Sequence, residues 1–193
     1  MTNKNNLQII AFESSKTWED WLAENHETSI GLWLHIFKKN SEIESVDYAQ
    51  ALDVALCYGW IDGQKKTYDK KSWLQKFTPR RAKSMWSKRN VENIARLVKS
   101  RKMKPPGLKE VEAAKQDGRW KKSYTSSSTM VMPGDFMKEL AKNKKAEAFF
   151  KTLNKANTYA IGWRLETAKK PDTREKRMKI ILEMLSKGKK FHD

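Results

Sequence analysis

The chain has one cysteine, three histidines, five prolines and eight glycines in 193 residues. A lone thiol, Cys57, excludes an intramolecular disulfide, and with only His26, His35 and His192 beside it there is no zinc-ligand spacing. No apolar run approaches the roughly 18 residues that a membrane-spanning helix requires, so no transmembrane segment is expected. The start, MTNKNNLQIIAFESSK, has neither a signal-peptide apolar region nor a small-residue cleavage site. The expectation is a cytoplasmic protein. Catalytic signatures are missing as well: there is no GxxxxGKS/T, GxGxxG or GxSxG, and no nucleophile with an identifiable base. No cofactor is implied, and the residues point to binding in preference to catalysis.

Leu, Ile, Val and Phe together number only 37, about 19% of the chain. With a net charge of +17 that proportion borders on disorder. The 8 Trp, 8 Met and 5 Tyr reverse it, raising the large apolar side chains to 58, and each aromatic buries roughly 150–250 Å². At roughly 150 residues per domain, the length suits one large domain or one with a small appendage.

The charge is unevenly placed. Residues 1–63 hold 4 lysines and no arginine against 10 acids, whereas residues 64–104 hold 15 basic side chains against only Asp69 and Glu92, a net +13. Such asymmetry favours polyanionic partners. The block also interleaves Trp73, Phe77 and Trp86 with Arg80, Arg81, Lys83, Lys88 and Arg89, a mixture suited to stacking bases and holding phosphates. The same aromatics serve equally as core, and scattered lysines also simply keep a protein soluble.

Periodicity outlines the elements. Residues 17–26 predict a helix capped by Thr17, with Trp18, Trp21 and Leu22 on one face. Residues 30–38 are apolar at almost every position and predict a strand buried on both faces, with His35 a satisfied core histidine. Ser45 or Asp47 opens a helix ended by Gly59, and residues 60–78 predict two strands around 68–72, with Asp62-Gly63 as a further turn. Ser87 or Asn90 caps a helix to about residue 103 that turns Val91, Ile94, Leu97 and Val98 inward and is broken by Pro105-Pro106-Gly107. After a shorter helix, 108–116, residues 119–132 form a polar passage with Ser126, Ser127 and Ser128 at its centre, the expected linker. Pro133 introduces four helices near 133–142, 145–153, 158–168 and 173–187, the last capped by Asp172 with Glu175 in a capping box and stopped by Gly188. The expected fold is α+β: a mixed α/β domain with a small sheet, residues 1–125, then a small all-helical domain, residues 133–190.

Four segments, YGWIDGQ at 58–64, FTPRRAKSMWSKRN at 77–90, DGRW at 117–120 and AKKPDTREKR at 168–177, resemble the YdeI/OmpD-associated family, also labelled bacteriocin-protection proteins. The resemblance covers about residues 15–190. It implies a C-terminal compact helical module and a connection to envelope defence, porin association and resistance to cationic peptides.

Two sites are candidates. In the first, Arg80 and Arg81 offer paired guanidinium donors, followed by Lys83, Ser84, Trp86, Ser87, Lys88, Arg89 and Asn90, a spacing suited to nucleic acid or another polyanion. The alternative is that the arginines pair with the acidic N-terminal part. In the second, Asp62 and Gln64 beside Gly59 and Gly63 join Arg80, Arg81 and Ser84 around a small anion, with Trp60 as a wall; a turn requiring Asp-Gly explains the same residues. The C-terminal helices are a further candidate, as a docking site for a protein partner.

Overall fold

The computed structural model describes residues 7–125 and 129–192. The chain forms two compact units, Met1–Trp86 with Asn90–Lys122, and Ser87–Arg89 with Ser123–Asp193. Among the described residues there are eight α-helices and one four-stranded sheet, and no helix is long and apolar enough to cross a membrane. The fold is α+β, mixed in the N-terminal part and helical in the C-terminal part.

The sheet has the order β1-β2-β4-β3. Strand β1 (Ile9–Ala11) runs parallel to β2 (Leu32–Phe37), and β3 (Trp60–Thr67) and β4 (Ser72–Pro79) form an antiparallel hairpin that β4 joins to β2. Strand β2 alternates, which corrects the expectation of burial on both faces: Leu32, Leu34 and Ile36 are fully covered while Trp33, His35 and Phe37 are half-buried. An antiparallel neighbour permits this, because only one face must meet the helices. His35 is satisfied but lies on the outer face, its Nε2 2.8 Å from Ser72 Oγ. Asp62-Gly63 is not a turn. The register slips between Asp62 and Lys65, a bulge inside β3, and buried Gln75 pins it by donating to the carbonyls of Gly63 (2.9 Å) and Gln64 (3.3 Å).

The core of the first unit packs Trp18, Trp60, Phe77 and Trp86 with Leu32, Leu34, Leu52, Leu56, Ile94 and Leu97. Helix α1 (Ser15–Asn25) is capped by Ser14, not Thr17; Thr17 stands at the third helical position and closes a reciprocal capping box. Asp47 caps α2 (Tyr48–Cys57) as expected, and Gly59, at φ +74°, follows it in the left-handed conformation. In α3 (Lys88–Lys99), Ile94 and Leu97 are buried, Val91 is half-buried and Val98 is exposed. Pro105-Pro106-Gly107 does not break that helix but opens α4 (Pro105–Gln116), where missing N–H groups cost nothing in the first turn. Glycine is required at 107 because an added Cβ would lie 2.3 Å from the Cys57 carbonyl oxygen and 2.6 Å from that of Leu56.

In the second unit, helices α5 (Gly134–Ala141), α6 (Lys144–Lys151), α7 (Lys155–Glu166) and α8 (Pro171–Ser186) enclose Phe136, Leu140, Ala146, Ile161, Leu165, Ile181 and Leu185. Pro133 precedes α5 as its cap residue instead of sitting in its first turn. Lys170, not Asp172, occupies the cap position of α8, Pro171 begins the helix, and Glu175 pairs with Lys179 at 3.0 Å in place of a capping box. Asn157, fully buried, receives the backbone N–H groups of Phe191 and His192, each at 2.9 Å, and so ties the C-terminal segment to α7. Ser126, Ser127 and Ser128 lie outside the described residues.

Candidate nucleic-acid interface

The +13 block folds into the β3–β4 hairpin, the segment after it, α3 and the residues that follow α3. Lys65, Lys66, Lys70 and Lys71 are exposed on the hairpin, as are Arg81 and Lys83 beyond β4. A tight turn presents these charges: the Asp69 carboxylate accepts the Lys71 N–H at 2.7 Å, and Lys38 Nζ donates to the Lys70 carbonyl at 2.7 Å. The hydrogen bond from the Ser72 side chain, then those from the Lys71 and Ser72 backbone, holds the Asp69 carboxyl below its ordinary range, so this acid stays ionised within the turn.

Of the basic residues in 64–104, Arg96 grips Asp53 through two contacts of 2.7 and 2.8 Å, Lys104 reaches Glu19 at 2.9 Å, and Lys88 reaches Glu166 at 3.7 Å. Among the described residues, Lys65, Lys66, Lys70, Lys71, Lys76, Arg81, Lys83, Lys99, Arg101 and Lys102 make no ion pair. Internal pairing with the acidic N-terminal part therefore accounts for Arg96 and Lys104 and leaves the hairpin charges facing solvent.

The residues singled out at 80–90 are divided by the structure. Arg80 is 7% exposed; its backbone N–H donates to the Gly59 carbonyl at 2.9 Å, its Nη2 donates to the Met85 carbonyl at 2.8 Å, and its guanidinium lies 3.7 Å from the centroid of the Trp86 ring. Trp86 is 1% exposed and meets Trp120 edge-on at 5.0 Å, so it is core and unavailable to stack on a base. The Ser84 carbonyl accepts from Arg119 Nη1 at 2.8 Å. Asn90 is buried, Ser87 bridges to Tyr124, Lys88 Nζ donates to Thr125 Oγ1 at 3.0 Å, and Arg89 is exposed. The surface charges of the segment are thus Arg81, Lys83, Lys88 and Arg89, while Arg80 and Trp86 hold it in shape.

The second candidate is dispersed. Asp62 accepts the Tyr48 hydroxyl at 2.8 Å, and Gln64 belongs to the bulge. A cleft of about 400 Å³ exists instead beside Gly59, lined by His26, Glu27, Tyr58, Trp60, Arg80, Pro106, Lys109 and Glu110. Arg80 and Trp60 line it; Asp62, Gln64, Arg81 and Ser84 do not. Burial pushes the Tyr58 hydroxyl above its ordinary pKa, so it stands there as a phenol. His26 and Lys109 carried no sequence signal, since helix packing brings them to the cleft from 83 residues apart. The hairpin lysines did carry one, the local charge count. Among the described residues no group of His, Cys, Asp and Glu is arranged to hold a metal ion.

Comparison with known families finds two matches. Residues 10–110 match the family model described as Domain of unknown function (DUF8412), and residues 129–188 match the one described as Bacteriocin-protection, YdeI or OmpD-Associated. Nothing among the curated proteins or the solved structures matches the chain. With residues 10–110, more than half of its length, matched, the chain belongs to the family described as Domain of unknown function (DUF8412), and its C-terminal helices carry a domain of the YdeI/OmpD-associated, or bacteriocin-protection, type.

Proposed function

We propose that this protein binds nucleic acid through the basic surface formed by the β3–β4 hairpin and residues 81–83. The observation that carries the reading is the set of hairpin lysines that no acid among the described residues pairs with. A cation already engaged by a carboxylate gains little from a phosphate, whereas a solvated one releases condensed counterions when it contacts one. Arg80 and Trp86 serve the interface indirectly, by holding the strand that leads into it.

The test is a titration of the purified protein against labelled oligonucleotides at several salt concentrations. If the five lysines of the hairpin contact phosphates, log K falls against log salt with a slope of about −3.5 on single strands and about −4.5 on duplex. Changing Lys65, Lys66, Lys70 and Lys71 to Gln flattens the slope by about 3. Binding that ignores salt, or a quadruple variant that matches wild type, refutes the reading. A second reading, a small-molecule pocket, has the cleft beside Gly59 in its favour; Arg80 and Lys109 are balanced there by Glu27 and Glu110, which suits a ligand carrying both signs of charge. Saturable quenching of tryptophan fluorescence by such a ligand, abolished by Lys109→Ala, is its expected signature.

A further inference from the structure

The face of a sheet turned away from the core is ordinarily polar. Here the outer face carries Trp33, His35 and Phe37 at successive outward positions of β2, with Tyr68 standing at the end of the hairpin. None of the four belongs to the hydrophobic core of the unit or packs against it, and Tyr68 is 53% exposed. The rings are ordered among themselves: His35 lies 4.4 Å from Phe37 and 4.5 Å from Tyr68 between centroids, and its bond to Ser72 holds it in place. Lysines border the same face. Lys66 Nζ sits 4.3 Å from the centroid of the Trp33 ring, and Lys76 Nζ approaches it to 6.0 Å.

Resting on the nucleic-acid reading, we infer that this face is a stacking platform for single-stranded nucleic acid. Trp33 stands two residues from His35, about 7 Å away along the strand, whereas the rings of His35, Phe37 and Tyr68 gather into one patch with centroids 4.4 and 4.5 Å apart. One base seats on Trp33 and another on the His35–Phe37–Tyr68 patch, and a duplex, whose base faces are covered by their neighbours, cannot occupy them. Aromatic faces bordered by cations are the combination that single strands use, the rings taking bases and the ammonium groups taking phosphates. Lys66 covers the Trp33 ring in the free protein. On binding, a base takes that ring and Lys66 moves to the neighbouring phosphate, so one side chain occupies the platform and then clamps its ligand.

The experiment is fluorescence anisotropy with a short labelled oligothymidylate and with a duplex of the same length, on wild type and on Tyr68→Ala and Trp33→Leu. Tyr68 is exposed enough for its loss to spare the fold, Trp33→Leu keeps apolar volume in the sheet, and circular dichroism verifies both. The expected result is tighter binding of the single strand by about tenfold or more, with each variant raising its Kd about 5- to 150-fold. The salt slope stays at its wild-type value, since neither side chain contacts a phosphate. Equal affinity for duplex and single strand, or variants that bind like wild type while the salt slope persists, overturns the platform and leaves the basic interface standing. Absence of binding to either probe at low salt overturns both.

Discussion

Gly107 offers a sharp test of how the first unit is packed. It stands in the first turn of α4, where alanine is the better helix former by about 1 kcal/mol, so helix propensity alone expects Gly107→Ala to stabilise. The structure expects the opposite. The new Cβ would lie 2.3 Å and 2.6 Å from the carbonyl oxygens of Cys57 and Leu56, and 2.7 Å from the Cys57 carbonyl carbon. All three are backbone atoms at the end of α2, which cannot rotate away as a side chain does. Relief requires the two helices to separate by about 1 Å, which loosens Val111 and Ala114 from the core they share with Leu56. Overpacking of this kind reaches about 3 kcal/mol, and subtracting the propensity gain leaves a net loss of about 2 kcal/mol. For a unit of this size that lowers the midpoint of thermal unfolding by roughly 8 °C. Tryptophan fluorescence during urea or thermal unfolding is the assay, because seven of the eight tryptophans lie in this unit. Gly63→Ala is the control: its nearest neighbour atom is 3.7 Å away and its φ lies outside the left-handed range, so it is neutral or stabilising by up to about 1 kcal/mol. A Gly107→Ala variant as stable as wild type, or a Gly63→Ala variant equally damaged, refutes the reasoning.

Three further outcomes are expected. Asp47→Ala removes the bond from the Gln50 N–H at 2.9 Å and keeps the reciprocal one, from the backbone N–H of residue 47 to Gln50 Oε1 at 3.1 Å, which costs about 1 kcal/mol in urea unfolding, while Asp47→Ser restores most of it. Burial pushes the Cys57 thiol up to about 11, so the native protein resists alkylation by iodoacetamide at pH 8 and reacts only with urea present. Because the folded thiol ionises later than the unfolded one, its contribution to stability is complete below about pH 9 and is lost as pH rises toward 11. A Cys57→Ala variant removes that alkaline component, and an unchanged alkaline profile counts against burial as its cause.

Local chemistry was legible where one short stretch of chain decides the outcome. Asp47, Gly59 and Gly188 mark helix ends through side-chain hydrogen bonds or positive φ, both properties of a few consecutive residues. The four C-terminal helices followed from apolar spacing, and the β3–β4 hairpin from its polar turn. Misreadings arose where a neighbour remote in sequence supplies the reason. Asp62-Gly63 resembles a turn by composition, yet Gln75, donating to two carbonyls from the adjacent strand, makes it a bulge. Pro105-Pro106-Gly107 resembles a break, yet close approach to α2 requires its glycine inside a helix.

The candidate site divides along the same line. Net charge is a sum over residues and survives any folding, so the basic character of residues 64–104 was settled by sequence alone. Which of those charges remain solvated depends on where Asp53, Glu19 and Glu166 come to rest, and only the tertiary structure decides that. Trp86 and Trp33 are chemically identical and each has basic residues nearby in the fold; packing against Trp120 sends the first into the core, and a place on the outer sheet face leaves the second half-buried. An aromatic side chain gains similar free energy from any apolar surface it meets, so the residue type alone does not say whether that surface is the protein's own core or a ligand.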